Sequence, residues 1–179
     1  QENVNTTERL FNKKYSIPLS LAFFIAFFNQ FSGINAILYY ANRIFEEAGL
    51  AEQASDLSSI GLGVTNFIFT LLGMFLIDKL GRKQLLYIGS FGYIISLSIV
   101  SLCFYNNWSG MIVPTSLFLF IASHAIGQGA VIWVFMSEIF PNHIRSSGQA
   151  FTSSVHWILA AIIPSLVPIL FNLIGAAVV

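Results

Sequence analysis

Apolar residues in this chain come in long runs, without the strict alternation of a half-buried strand. "LSLAFFIAFF" is followed by "VTNFIFTLLGMFLI", "LLYIGSFGYIISLSIVSLCFY", "MIVPTSLFLFIASH" and "WILAAIIPSLVPILF". A helix needs about 20 mostly apolar residues to cross about 30 Å of hydrocarbon. A barrel strand needs only about 10, with alternation that is absent here. The pattern therefore predicts five helical spans, at about 17–40, 58–77, 84–105, 112–136 and 148–171. Together they form an all-α transmembrane bundle over 17–179, preceded by a short segment at 1–16. The first span is not a signal peptide, because it lacks a small-residue cleavage site and further spans follow. The closing "FNLIGAAVV" resembles the opening of a sixth helix, truncated, from about 172. With a start at Gln1 rather than Met, this predicts a piece of a longer chain.

Composition agrees with the pattern. Of 179 residues, 56% are hydrophobic and 9% charged, against about a quarter charged in soluble domains. Such a chain is solvated by lipid. Cys103 is alone and inside a span, which rules out an internal disulfide or a Cys-based metal site. No cofactor, metal or nucleic-acid partner is expected.

Charge changes the picture by giving direction. Net charge is zero, yet Arg9, Lys13, Lys14, Lys79, Arg82, Lys83 and Arg145 fall in alternate connections, with Arg43 alone on the other side. The positive-inside rule then puts residues 1–16 and the 78–83 and 137–147 turns in the cytoplasm. The expectation is a multi-pass protein of the cytoplasmic membrane. The 41–57 connection, with Glu46, Glu47, Glu52 and Asp56, faces outside. Asn107-Trp108-Ser109 matches a glycosylation acceptor there, but Trp108 is better read as an interface anchor.

Polar residues inside the spans carry the candidate chemistry. In "NQFSGINAILYY", Ser32, Asn35 and Tyr39 share one helical stripe, flanked by Asn29 and Tyr40, while Gln30 falls outside it. Two readings stand side by side. The amides can be packing glue between helices. Alternatively the helix loosens at Gly33, so that Gln30 and Asn35 converge on one cavity, as interrupted transporter helices do. Asn66 and Thr70 share a face of the second span, and Gly127 and Gly129 weaken the fourth just before Trp133. The fifth carries His156 and Trp157, then Pro164 and Pro168. Amides and indoles without charge at membrane depth suit a neutral, hydroxyl-rich ligand. Amides donate and accept as sugar hydroxyls do, and indoles offer a flat apolar face. An ion would want carboxylates or exposed carbonyls, and a cationic drug an acidic residue. His124 and His156 are both expected, on this ground alone, to be packing histidines. An intramembrane hydrolase is disfavoured, since no G-x-S-x-G elbow is present.

In the turns, "DKLGRK" places Asp78 and Arg82 around Gly81, and "SEIFPNHIR" places Glu138 and Arg145 around Pro141, which ends a helix. Either these are ordinary interfacial charges or they form an ion-pair cluster that switches between conformations.

Taken in order and spacing, "QFSGINAILYY", "DKLGRK" and "GQGAVIWVFMSEIFPNHIR" resemble the sugar porter family of the major facilitator superfamily. The chain is similar to its C-terminal half, helices seven to eleven and the start of twelve. The resemblance implies a twelve-helix transporter in two six-helix bundles, with a neutral monosaccharide bound between them and released by alternating access. It places Gln30, Asn35, Tyr39, Asn66 and Trp133 at sugar-contacting positions, and raises His156 to the site beside Trp157. Asn29 replaces the first of a usual Gln-Gln pair, and "GQGAVIW" lacks the usual prolines. Asp78, Arg82, Glu138 and Arg145 match a cytoplasmic charge network that stabilises the outward-facing state. The missing N-terminal half would hold any proton-coupling acid, so symport and facilitation stay open. A membrane sugar sensor on the same scaffold, or a non-transporting fragment, are the alternatives.

Overall fold

The structure, a computed structural model, describes residues 10–108 and 110–174. These are all-helical, with no strand among them. After a 3-10 turn at Lys13–Tyr15 come α1 (Ser16–Phe31), α2 (Ile34–Tyr39), α3 (Ala41–Glu47), α4 (Glu52–Leu80) and α5 (Arg82–Tyr105). Then α6 (Ile112–His124) passes through a π-helical segment, Ala125–Gly129, into α7 (Ala130–Glu138), and α8 runs from Arg145 to Ile174. Five stretches are long and apolar enough to cross a membrane: Lys13–Tyr39, Glu52–Leu80, Arg82–Tyr105, Ile112–Glu138 and Arg145–Leu170. All five expected spans are present. The helices overrun the expected bounds by several residues because apolar composition marks the hydrocarbon, whereas helices continue into the headgroup layer. α8 includes residues 172–174 without a break. The truncated further helix expected from about 172 otherwise falls on 175–179, outside the described residues, as does Ser109 of the acceptor motif.

Local chemistry explains the interruptions. Gly33 has φ +80°, a left-handed conformation that costs other residues a steric penalty. It ends α1, and its N–H reaches back to the Gln30 carbonyl at 3.0 Å. Gly81, at the same φ, turns the chain from α4 directly into α5. α7 stops at Glu138, ahead of Pro141, whose ring disfavours helical geometry in the preceding residue.

The fourth span is the centre of the bundle, with 56% of its apolar stretch buried against 17–33% for the others. α5 lies along α6, α1 along α8, and α4 against the π segment. Lipid is as apolar as leucine, so helices associate through close packing of small residues. A Cβ on Gly89 would come within 2.7 Å of the Gly127 Cα, and one on Gly73 within 2.9 Å of the Ile126 carbonyl. The π segment is therefore pinned by backbones on both sides. Its Gln128 donates to Ser90 Oγ at 3.0 Å.

Each end is tied separately. At the end holding the 78–83 and 139–145 turns, buried Tyr15, Phe140 and Ile144 form one cluster, and Tyr15 Oη bonds His143 Nε2 at 2.8 Å. At the other, Phe45, Leu62, Leu117 and Phe120 pack together. There Asn42 Nδ2 donates to Asp56 Oδ1 at 2.5 Å, and Asn42 Oδ1 accepts from Ser59.

Gly89→Ala should lower the detergent melting temperature by the equivalent of about 1–3 kcal/mol, the usual cost of overpacking. Gly63→Ala, where a Cβ meets nothing within 4 Å, should leave it unchanged or raise it. Equal effects would show that the Gly89–Gly127 approach is not tight.

Candidate ligand site

The interruption of α1 creates a polar centre at membrane depth. Because α1 stops at Phe31 and α2 restarts at Ile34, Asn35 is swung back toward Gln30. Its Nδ2 donates to Gln30 Oε1 at 2.8 Å. A continuous helix would leave these residues on different faces. The Gln30 amide is only 2% exposed, and its Nε2 approaches His156 on α8, at 2.9 Å from Nε2 and 3.2 Å from Nδ1. The ring nitrogen carrying the lone pair accepts. Asn29 Oδ1, at 3.4 Å, is a weaker acceptor for the same amide. Burying an unpaired amide would cost about 2–7 kcal/mol, so three elements converge to satisfy one side chain.

Aromatic rings flank this centre. Trp133 on α7 meets the His156 ring edge-on with centroids 4.9 Å apart, and Trp157 meets it edge-on at 5.3 Å. The indoles are 41% and 64% exposed, whereas His156 is 8% exposed. A buried polar floor with two accessible apolar faces can hydrogen-bond a neutral polyhydroxyl molecule and stack on its C–H side. No group of three or more potential metal-ligating side chains occurs among the described residues.

Six of the eight predicted contact residues are thus brought together: Asn29, Gln30, Asn35, Trp133, His156 and Trp157. Two are not. Tyr39 is 70% exposed at the end of α2. Asn66, partly exposed on α4, has no hydrogen bond to the cluster. Tyr39 still shares a face of α2 with Asn35, but only Asn35, one turn nearer Gly33, reaches Gln30. His124, expected to be a hydrogen-bonded packing histidine, is buried with its Nε2 unpaired. Ser32 Oγ, donating to the Asn29 carbonyl at 2.6 Å, caps the interruption. Its position one residue before Gly33 was the available signal.

At the end of the bundle, Arg82 spans the two turns. Its Nε donates to Glu138 Oε2 at 3.0 Å and its Nη2 to Oε1 at 2.6 Å, a two-pronged pair. Asp78 Oδ1 lies 3.8 Å from Nη1. Arg145, exposed at the start of α8, makes no ion pair with this group.

Comparison with known proteins gives one consistent answer. The family model described as "Sugar (and other) transporter" matches residues 1–179. The facilitated trehalose transporter Tret1-1 of Drosophila simulans is 35% identical, covering 98% of this chain and 21% of its own. The D-xylose-proton symporter of Escherichia coli is 37% identical, over 75% of this chain and 27% of its own. A crystal structure of a D-xylose-proton symporter superposes with a TM-score of 0.82 at 31% identity, covering 95% of this chain and 38% of that one. The chain therefore spans well under half the length of these relatives.

The Arg82–Glu138 pair is half exposed, so a double-mutant cycle with Arg82→Ala and Glu138→Ala should give a stability coupling of about 0.2–1 kcal/mol. A coupling above about 3 kcal/mol would mean that the pair is shielded from water in the whole protein.

Proposed function

Since the chain belongs to the sugar porter family of the major facilitator superfamily, we propose that its full-length protein moves a neutral monosaccharide across the cytoplasmic membrane by alternating access. The observation that carries this reading is the Gln30–His156–Asn35 cluster, with the indoles of Trp133 and Trp157 against its His156 ring. Sugar hydroxyls replace His156 and Asn35 as partners of the Gln30 amide, so binding exchanges hydrogen bonds instead of stripping a buried group bare. Trp133 and Trp157 supply the apolar faces, and Asn29 extends the polar wall. Tyr39 and Asn66 take a rim role, because neither bonds to the cluster.

Asp78, Arg82 and Glu138 form the cytoplasmic gate. Joined, they hold the 78–83 and 139–145 turns together. An exposed pair is weak enough to part without a large barrier, which suits a contact made and broken in each cycle. Arg145 joins the network in another conformation or pairs with the N-terminal half. The chain is oriented with residues 1–16 inside the cell, from the split of basic residues. The partners are the monosaccharide, the lipid bilayer and that missing half, which supplies the second wall of the cavity and any acid that couples transport to a proton.

Cells expressing the full-length gene should take up labelled sugar from a panel of hexoses, pentoses and polyols. Gln30→Ala and Trp133→Ala should each raise the apparent KM about tenfold, at unchanged amounts of protein in the membrane. No uptake of any of these sugars by correctly inserted protein would defeat the reading. Unchanged affinity in both variants would remove the cluster from the sugar path. Collapse of uptake on dissipating the proton gradient separates symport from facilitation.

A further inference from the structure

Tyr15 stands at the foot of α1 and is only 2% exposed. A phenylalanine would fill the same apolar cluster with Leu10, Ala22, Phe140 and Ile144, so packing does not account for the hydroxyl. A buried phenol O–H has to be paired, and here the partner comes from a distant part of the chain. Tyr15 Oη and His143 Nε2 share a hydrogen bond of 2.8 Å, 128 positions apart in sequence. His143 is exposed and lies in the turn between α7 and α8. Glu138, the last residue of α7, opens that same turn.

The turn is stiff enough to carry a displacement from His143 to Glu138. The Ile144 N–H closes on the Pro141 carbonyl at 3.1 Å, and the Gly148 N–H on that of Ile144 at 2.9 Å. The Phe140 ring lies against Gly148, where an added Cβ would come within 2.5 Å of it. At the foot of α1, the Tyr15 N–H closes on the Asn12 carbonyl at 2.9 Å. Beside it the Phe11 ring meets Phe151 of α8 edge-on at 5.9 Å. Residues 10–15, the turn and the start of α8 are therefore packed as one unit. The 78–83 turn meets this unit through Arg82 and Glu138. A two-pronged pair needs the carboxylate aligned with the guanidinium, so a small displacement of Glu138 is enough to cost it a hydrogen bond.

We propose that Tyr15 is a positioning residue for the cytoplasmic gate. Its bond to His143 holds the 139–145 turn in the register at which Glu138 meets both prongs of Arg82. The inference rests on the gate reading above. The bond stays made while the gate opens and closes, and it acts by preorganisation: a turn already restricted loses less freedom when Glu138 docks. Without the bond His143 is solvated, so no buried histidine is stripped bare. The change falls on the balance between joined and parted turns.

The test uses the full-length protein with spin labels on cysteines at Lys79 and Ser146, exposed positions on the two sides of the gate. Dipolar spectroscopy reads the ratio of parted to joined turns, without sugar and with D-glucose or D-xylose. Tyr15→Phe keeps the ring and removes the hydroxyl. It should raise the parted-to-joined ratio about two- to tenfold, the range for one hydrogen bond. His143→Ala should do the same, and the two together no more than either alone. His143→Gln, which can still bond the phenol, should keep the wild-type ratio. In a Glu138→Ala background Tyr15→Phe should add nothing, because no carboxylate is left to position. An unchanged ratio in Tyr15→Phe overturns the proposal alone, whatever the melting temperature does. An equal shift with and without Glu138 also overturns it, in favour of packing. A wild-type protein with one distance, the same with and without either sugar, overturns the gate reading and this proposal with it.

Discussion

One buried amide organises the polar centre of this bundle. Gln30 is almost fully buried, so its donors and acceptor must be met by the protein or by a bound ligand. In this structure Asn35, His156 and, more weakly, Asn29 meet them. Each depends on a different architectural decision. Asn35 is available only because the helix is interrupted at Gly33, and His156 only because α8 packs along α1. The net worth of such a bond is modest, about 0.6 kcal/mol on average inside membranes. The cost of leaving the amide bare is several times larger. That asymmetry makes the cluster exchangeable: partners can be swapped, but none can be lost without a substitute.

The π segment does comparable work on the other wall. One residue of helix corresponds to about 100° of rotation, so a widened turn at Ala125–Gly129 resets which face α7 presents. Trp133 follows it and meets His156 at 4.9 Å. Glycine makes the segment possible twice over. Gly127 lets the Gly89 backbone approach, and the same lack of a side chain lowers the cost of departing from regular helix. Resemblance to the family leads one to expect prolines in this stretch, and here a π turn containing two glycines stands in their place.

Much of the fold was legible in the chain. Five apolar runs became five spans because hydrocarbon thickness fixes a minimum length whatever the packing. The interruption at Gly33 was one of two readings the sequence left open, beside packing glue in an unbroken helix, and the backbone takes it. So was the link between the two turns, which took the form of Arg82 with Glu138. Within the same charge motif, however, Arg145 stays apart, because sequence spacing cannot say which of two nearby cations wins a carboxylate. Ser32 likewise shares Asn35's stripe only while the helix is assumed to run unbroken through Gly33.

The sequence by itself determined the solvent of this protein, its helices and the list of polar groups that lipid would penalise. Those follow from composition and local sterics, which act over a few residues. Tertiary structure alone decided the partnerships: Gln30 with His156, 126 positions apart, Tyr15 with His143, and His124 with Tyr93 and Phe120. Such pairings depend on how far each helix slides and rotates against the next. That is set by close contacts such as Gly89 on Gly127, which no local pattern records.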